Sequence, residues 1–310
     1  MSQRLRALQP IGLVSHRHSW LEPSLTWMSV DMLRRETVRV VILAGGLGTR
    51  LQEETTTRPK PMVEIGGKPI LWHIMKHFAH HGQDDFLIAC GFMGDSIKGY
   101  FLDRYNLSGN LKIDFACQMV HREEIESEDW VVNLVDTGLS TNTGGRLKRL
   151  KRFLDDGTFL LTYGDGVSNV DISKLLKFHR EHGRIATVSA VRPPARFGGL
   201  QLDGPRVERF MEKPVAGEGW INGGFLVLEP GIFDYLEDDT SSLEVAALEK
   251  LAVDGELVAH RHTGFWQCMD TLRDKNYLQH LWDSDKAPWK TWDTQSAEVR
   301  LRLIPQDRAA

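Results

Sequence analysis

An open, mostly parallel α/β sheet with helices on both faces, plus a small antiparallel β extension, is the fold class this sequence predicts. Three observations lead there. Val38, Val40, Val41 and Ile42 form an apolar β-branched run that breaks abruptly into Gly45, Gly46 and Gly48, as a buried strand does at its carboxyl end. From there to Val191, short apolar runs alternate with amphipathic stretches across short turns, the pattern of parallel strands joined by crossover helices. Between Gly199 and Leu228 strand-like runs succeed one another with no helix between them, which predicts an antiparallel block beside the parallel sheet.

The elements follow in order. Gly66-Gly67-Lys68-Pro69 punctuates the chain after the first strand, and Ile70 to His81 has the spacing of an amphipathic helix. Phe86 to Cys90 reads as a short buried strand and Asp95 to Tyr105 as a second helix. Val131 to Val135 is a strand running into Asp136-Thr137-Gly138 and the pair Gly144-Gly145, with Leu147 to Phe153 helical. Thr158 to Tyr163 is a strand that stops at Gly164-Asp165-Gly166; Ile172 to His182 is a helix and Ala186 to Val191 a strand. Gly199 to Leu202, Val207 to Met211 and Ile221 to Leu228 are the strands of the extension. Ile232 to Leu236 and Leu243 to Val253 are helical, and Leu272 to Trp282 closes the core. Residues 37–293 thus form one domain and residues 294–310 a tail. Residues 1–36 hold Pro10, Pro23, scattered arginines and tryptophans, and no apolar stretch leading to a cleavage site. They read as a poorly ordered extension, or as sequence upstream of a genuine start at Met28 or Met32, unless Trp20 and Trp27 dock a partner.

Composition removes several classes of function. A chain of 310 residues can bury a large core, and 41% hydrophobic with 26% charged residues is ordinary for a soluble globular protein. A net charge of −4 without a long basic run offers no track for nucleic acid. Arg146, Lys148, Arg149, Lys151 and Arg152 are the densest basic cluster, at a helical spacing that makes all but Arg146 a solvated face. Cys90, Cys117 and Cys268 are few, odd in number and far apart, which suits a reducing compartment and hence the cytoplasm. No apolar run is long enough for a transmembrane helix, so no membrane is expected as a partner. His73, His77, His80 and His81 share a helix face, but no glutamate stands at His-Glu-x-x-His spacing. They are expected on a solvated or partly packed helix surface rather than on zinc.

The chemistry gathers at the glycines. Without Cβ atoms at Gly45, Gly46 and Gly48 the backbone can bend sharply and press its N–H groups on a ligand, and a loop at the carboxyl end of a strand favours anions. Arg50 and Lys60 add full positive charges suited to phosphate, making a polyphosphate cradle. Two commoner loops are excluded: a dinucleotide fingerprint needs glycine where Leu51 stands, and a nucleotide-hydrolase loop needs Gly-Lys-Ser/Thr where Gly48-Thr49-Arg50 stands. Asp165 sits in a glycine-flanked turn at the end of a strand, where open α/β sheets bind ligands. Asp270 precedes the helix starting at Leu272. Asp270 or Thr271 could cap that helix, and Asp270 is available for chemistry only if Thr271 is the cap. Two aspartates beside a polyphosphate suit Mg²⁺, which takes one or two carboxylates together with phosphate and water. No Ser-His-Asp or Cys-His arrangement stands out, so no protein nucleophile is expected.

Gly-Gly-x-Gly-Thr-Arg followed by the pair Lys60-Pro61 resembles the signature of the sugar-phosphate nucleotidylyltransferases. Within them the chain is similar to the cytidylyltransferases that act on glucose 1-phosphate. That similarity is carried by Lys60-Pro61-Met62-Val63-Glu64-Ile65-Gly66-Gly67-Lys68-Pro69 and the stretch to Lys76, by Leu134-Val135-Asp136-Thr137-Gly138, by Thr143-Gly144-Gly145-Arg146-Leu147-Lys148-Arg149 and by Thr162-Tyr163-Gly164-Asp165-Gly166-Val167. Arg196-Phe197-Gly198, Glu212-Lys213-Pro214, Ile221-Asn222-Gly223-Gly224-Phe225, the run from Phe265 to Lys275 and Lys286 to Trp292 extend it across Val38 to Trp292.

The resemblance implies a Rossmann-like nucleotide-diphospho-sugar transferase fold whose antiparallel extension binds the sugar. It implies that Leu43, Ala44, Gly45, Gly46, Leu47, Gly48, Thr49 and Arg50 line a nucleoside triphosphate, that Lys60 contacts phosphate, that Thr141 and Arg146 contact the nucleotide and that Gly164 approaches it through its backbone. Asp165 and Asp270 would hold Mg²⁺; Glu212, Lys213 and Asn222 would face the sugar phosphate; Arg50, Lys60 and Asp165 would carry catalysis. The implied reaction is CTP plus α-D-glucose 1-phosphate giving CDP-glucose and diphosphate, in a homo-oligomer that feeds deoxysugar synthesis for surface polysaccharide such as O-antigen. UTP or dTTP in place of CTP, or a non-catalytic sugar-nucleotide sensor, are the alternatives. The chain departs from the pattern at Leu243, Ala246 and Ala247, where the family carries a tryptophan and a Glu-Pro pair, and at Cys268, where proline is usual.

Overall fold

The computed structural model describes residues 37–123, 128–193, 199–203, 205–211 and 219–293. The expected leader at 1–36 with Trp20 and Trp27, the tail at 294–310, the stretch Arg196-Phe197-Gly198, and Glu212 and Lys213 lie outside the described residues. The expected first strand, Val40–Ala44 (β1), is buried at every position. Its two faces serve two cores. Val40, Ile42 and Ala44 pack on one side and Val41 and Leu43 on the other, because side chains alternate along a strand. Hydrophobicity on both faces is what a strand in the middle of a covered sheet requires.

Around β1 a seven-stranded sheet is built from Asp85–Cys90 (β2), Val131–Asp136 (β3), Phe159–Tyr163 (β4), Ala186–Val191 (β5), Ile221–Leu228 (β6) and Leu257–His262 (β7), in the order β7-β5-β6-β4-β1-β2-β3. Val40 stands opposite Phe86 on one side and Leu160 on the other, both in parallel register. The helices Ile70–His80 (α1), Gly94–Leu107 (α2), Ile172–His182 (α4) and Leu272–Asp283 (α5) send Ile74, Phe78, Ile97, Leu175 and Leu278 into one core. The helix Thr143–Arg149 (α3), a 3₁₀ turn at Pro230–Tyr235 and the stretch Leu243–Val253 send Leu147, Phe233 and Leu251 into the other. The open parallel sheet with helices on both faces is therefore as expected, and among the described residues no helix is long and apolar enough to cross a membrane.

Three features differ from expectation. Ile221–Leu228 does not belong to the antiparallel extension; it enters the main sheet as its antiparallel member, between β4 and β5. The reason is its run of six consecutive buried residues from Gly223 to Leu228, which can be buried on both faces only inside a sheet. The extension itself is the hairpin Gly199–Asp203 with Arg206–Met211. Leu257–His262, with three polar residues among its six, forms the edge strand β7 in parallel with β5, and its apolar content is too thin to announce a strand. A further hairpin, Asn110–Asp114 with Met119–Glu123, is closed by an Asx turn in which the Asp114 carboxylate accepts from the N–H groups of Ala116 and Cys117.

The histidines of α1 are also corrected. His73 and His77 are 1% and 2% exposed, in the core rather than on a surface. Each donates from Nε2 to a backbone carbonyl, Ile65 at 2.8 Å and Val170 at 2.9 Å, which is what lets an imidazole be buried. Among the described residues no group of three metal ligands forms around them. Burial pushes the pKa of His73 down to about 4 and, with a contribution from the neighbouring His81, that of His77 down to about 3. In the unfolded chain both titrate near 6.5. As pH falls from about 6.5 toward 4, the unfolded state takes up protons that the folded state refuses, so stability present above pH 6.5 is lost at up to about 1.4 kcal/mol per pH unit for each group. Thermal melts between pH 7 and pH 4.5 should show that decline, with a shallower slope in a His77→Gln variant; an identical slope in the variant would exclude His77 as a source.

Candidate active site

At the end of β1 the backbone turns through Gly45, Gly46 and Leu47 to Gly48, whose φ of 64° lies in the left-handed region that favours glycine. A short 3₁₀ turn, Thr49–Leu51, follows, and Thr55 secures the bend by donating to the carbonyls of Gly48 (3.1 Å) and Leu51 (2.9 Å). The bend faces a cavity of about 350 Å³. Leu43, Ala44, Gly45, Gly46, Gly48, Thr49, Arg50, Lys60, Thr141, Arg146, Gly164 and Asp165 all line it. Of the expected nucleotide-lining set only Leu47 stands apart, 55% exposed on the outside of the bend. Gly164 closes the floor: its N–H donates to the Leu43 carbonyl at 3.0 Å, and a Cβ there would meet Pro61 at 2.9 Å.

Asp165 and Asp270 are 105 residues apart, and a two-stranded ribbon brings them together. Gly166–Ser168 pairs antiparallel with Trp266–Cys268, so each aspartate leaves the same end of the ribbon, and Met269 N–H donates to the Asp165 carbonyl at 2.8 Å. Lys60, buried on a 3₁₀ turn, stands between them with Nζ 2.6 Å from Asp165 Oδ2 and 2.6 Å from Asp270 Oδ1. Arg50 reaches over the rim to Asp270 Oδ2 at 2.9 Å. Burial works against the Lys60 ammonium, yet the adjacent carboxylates outweigh it and hold its pKa above the ordinary value. Burial likewise works against the Asp270 carboxylate, and the Lys60 hydrogen bond with the charges of Lys60 and Arg50 holds its pKa below the ordinary value. The choice of helix cap resolves toward Thr271. Its hydroxyl accepts from Asp274 N–H at 3.2 Å while the Asp274 carboxylate accepts from the N–H groups of Thr271 and Asp270, leaving the Asp270 side chain for Lys60 and Arg50.

Two carboxylate oxygens that both reach one ammonium nitrogen can both reach one divalent cation. The donors are hard oxygens, and no third carboxylate, imidazole or thiolate among the described residues joins them, which leaves positions for phosphate and water. The residues present fit such an ion.

Arg146 serves this site differently from a simple ligand. Its guanidinium lies in the cavity floor and makes hydrogen bonds to four carbonyls, Gly45, Cys90, Gly138 and Leu139, and to the Thr137 hydroxyl, none to a carboxylate. It ties the glycine bend to the Thr137–Leu139 turn and leaves a positive charge beneath the cavity. Its cluster neighbour Arg149 is held at the surface by Asp239, 2.8 Å from Nε. Tyr163, ending β4, also lines the cavity and a second, smaller one beside it, formed with Asn222, Gly223, Gly224, Trp266 and Cys268. Burial and the Glu244 carboxylate push the Tyr163 phenol well above its ordinary pKa, while Glu244, opposed by burial but hydrogen-bonded to Tyr163 and Ser242, stays below its own. Sequence reasoning assigned no role to Tyr163, Thr143 or Glu244. Tyr163 had a signal, since it ends a parallel strand one residue before Gly164; Glu244, inside an amphipathic stretch, had none.

A cavity at the carboxyl ends of parallel strands, floored by an arginine and rimmed by paired carboxylates and cations, suits transfer between two phosphorylated molecules. Residues 39–272 match the family model of the nucleotidyl transferases, and the chain belongs to that family. It is 51% identical to the glucose-1-phosphate cytidylyltransferase of Salmonella typhi over 257 residues, which are 83% of this chain and 100% of that protein. It is 40% identical over 256 residues to a Bacillus subtilis protein named "Probable glucose-1-phosphate cytidylyltransferase", covering 82% of this chain and 100% of the other. Among solved structures, HddC from Yersinia pseudotuberculosis matches with a TM-score of 0.59 at 25% identity, over 79% of this chain and 100% of HddC.

Proposed function

We propose that this enzyme transfers the cytidylyl group of CTP to α-D-glucose 1-phosphate, giving CDP-glucose and diphosphate. The observation that carries the reading is the carboxylate pair, Asp165 and Asp270, set 2.6 Å on either side of Lys60 at the rim of the glycine bend. The choice of cytosine and glucose is supported by the 51% identity along a complete cytidylyltransferase.

A phosphate oxygen of the sugar attacks the α-phosphorus of CTP. A new P–O bond forms, the bond from the α-phosphorus to the bridging oxygen breaks, and diphosphate leaves with that electron pair. The obstacle is anion meeting anion: at ~5 Å and an effective dielectric of about 20, each pair of unit charges costs roughly 3 kcal/mol. The backbone from Leu43 to Gly48 cradles the triphosphate, and Arg50 and Lys60 oppose its charge. Thr141, Gly164 and the charge of Arg146 hold the nucleotide, and Asn222, at the second cavity, faces the sugar phosphate. Asp165 and Asp270 would hold Mg²⁺, which when bound supplies Lewis-acid relief of the phosphate charge. Since the sugar phosphate is itself the nucleophile, the chain's part is positioning and charge. A cytoplasmic setting suits its three unpaired cysteines. A homo-oligomer is supported by exposed apolar side chains that adjoin along the chain, Leu102 and Leu107 on α2 and Ile113, Phe115 and Val120 on the hairpin after it.

The test is diphosphate release with CTP, UTP, dTTP and GTP against several sugar 1-phosphates, on a preparation whose mass by sedimentation velocity should exceed the monomer's. CTP with glucose 1-phosphate should lead. UTP or dTTP ahead by severalfold would overturn the base assignment, and no release with any pair would make the protein a sensor.

A further inference from the structure

Glu244 takes no part in the roles assigned above, yet its carboxylate bonds Tyr163, which lines both cavities, and Thr143, which lines the larger. It is on the first turn of a π-helical stretch, Leu243–Leu248, a backbone form that is rare and concentrated at functional sites. Three hydroxyls donate to it. Tyr163 Oη reaches Oε1 at 2.5 Å, and Thr143 Oγ1 and Ser242 Oγ reach Oε2 at 2.9 and 2.7 Å. A hydroxyl has one proton, so the direction of each is set by the carboxylate. Tyr163 therefore has only lone pairs left to offer. Asn222, beside it on the same wall, is held separately, its Oδ1 accepting from Gly224 N–H at 2.8 Å. Asn222 and Tyr163 together wall the second cavity. Thr143 meanwhile sits at the first turn of α3 and lines the nucleotide cavity.

We infer that Glu244 is a positioning residue of the sugar-phosphate site, fixing the direction of the Tyr163 hydroxyl on the wall of the second cavity. This deepens the proposed function, on which the occupant of the second cavity rests. The surroundings of the carboxylate support a role in ordering. A half-buried anion satisfied only by neutral hydroxyls is a costly way to fill space, but it is the one group that accepts from all three and donates to none.

Glu244→Gln tests the relay at one end and Tyr163→Phe at the other. The glutamine keeps the shape and introduces an N–H₂ donor, so at least one of the three hydroxyls must reverse; the phenylalanine removes the positioned hydroxyl and leaves the carboxylate with Thr143 and Ser242. Each variant should raise KM for the sugar 1-phosphate by about tenfold. The turnover number and the Kd for CTP, measured by calorimetry without sugar, should stay within about twofold. The double variant should be no worse than Tyr163→Phe alone, since both act through one chain of bonds. An unchanged KM in Tyr163→Phe, effects that multiply in the double variant, or a loss of CTP affinity instead of sugar affinity would each overturn the inference. The comparison is run with the substrate pair that the unaltered enzyme turns over best. A wild type that prefers another pair would sink the proposed substrates and still leave the Glu244 relay to be judged.

Discussion

Asp270→Asn should lower turnover by a factor of about 10³, and Asp165→Asn by at least about 10², in saturating magnesium. The asparagines keep the shape and remove the charge that faces Lys60. The two should differ in degree, because Asp270 answers two cations and Asp165 one. Without Asp270, Arg50 loses its partner and Lys60 retains only Asp165; without Asp165, Lys60 and Arg50 still converge on Asp270. Steady-state rates over a magnesium titration measure both variants. A rate near that of the unaltered enzyme in either one would remove that residue from the site.

Arg146→Lys should cost stability and nucleotide binding together. A planar guanidinium spans four carbonyls and a hydroxyl, and a single ammonium cannot. The space is shaped for it as well: a Cβ on Gly45 or on Gly91 would lie 2.3 Å from Arg146 Nη1. Carbonyls buried without donors make the loss about 3 kcal/mol, or roughly 6–12 °C in melting temperature for a domain of this size. Affinity for CTP should fall at least about tenfold, because the glycine bend and the Thr137–Leu139 turn lose their common anchor. Melting curves and calorimetry on Arg146→Lys decide it, and an unaltered melt with unaltered affinity would contradict the anchoring role.

Much of this was legible in the residues because the signals were local. The β-branched run into glycines, the alternation to Val191 and the glycine-flanked Asp165 each declare themselves within a few positions. The link between Asp165 and Asp270 was legible only as a chemical expectation, since the ribbon that joins them is two three-residue strands with no periodicity to detect. The place of Ile221–Leu228 is not legible from its pattern, because the strand both pairs antiparallel and belongs to the main sheet. Arg146 is legible as one charge within a basic cluster but not as an anchor, because its partners are mostly carbonyls, which every residue has. His73 and His77 look like surface residues on a helix wheel until the carbonyls of Ile65 and Val170 reach them.

The ribbon also sets an order of assembly. All seven strands of the sheet are complete in the sequence by His262, whereas Asp270 and α5 come after it. A ribosome therefore releases the last strand before the second carboxylate has emerged, and the nascent chain possesses the glycine bend, Lys60 and Asp165 before it possesses the residue that completes their ion-paired group. Nonsense or frameshift lesions just past His262 leave a chain that carries every strand of the sheet and lacks half of its acidic pair.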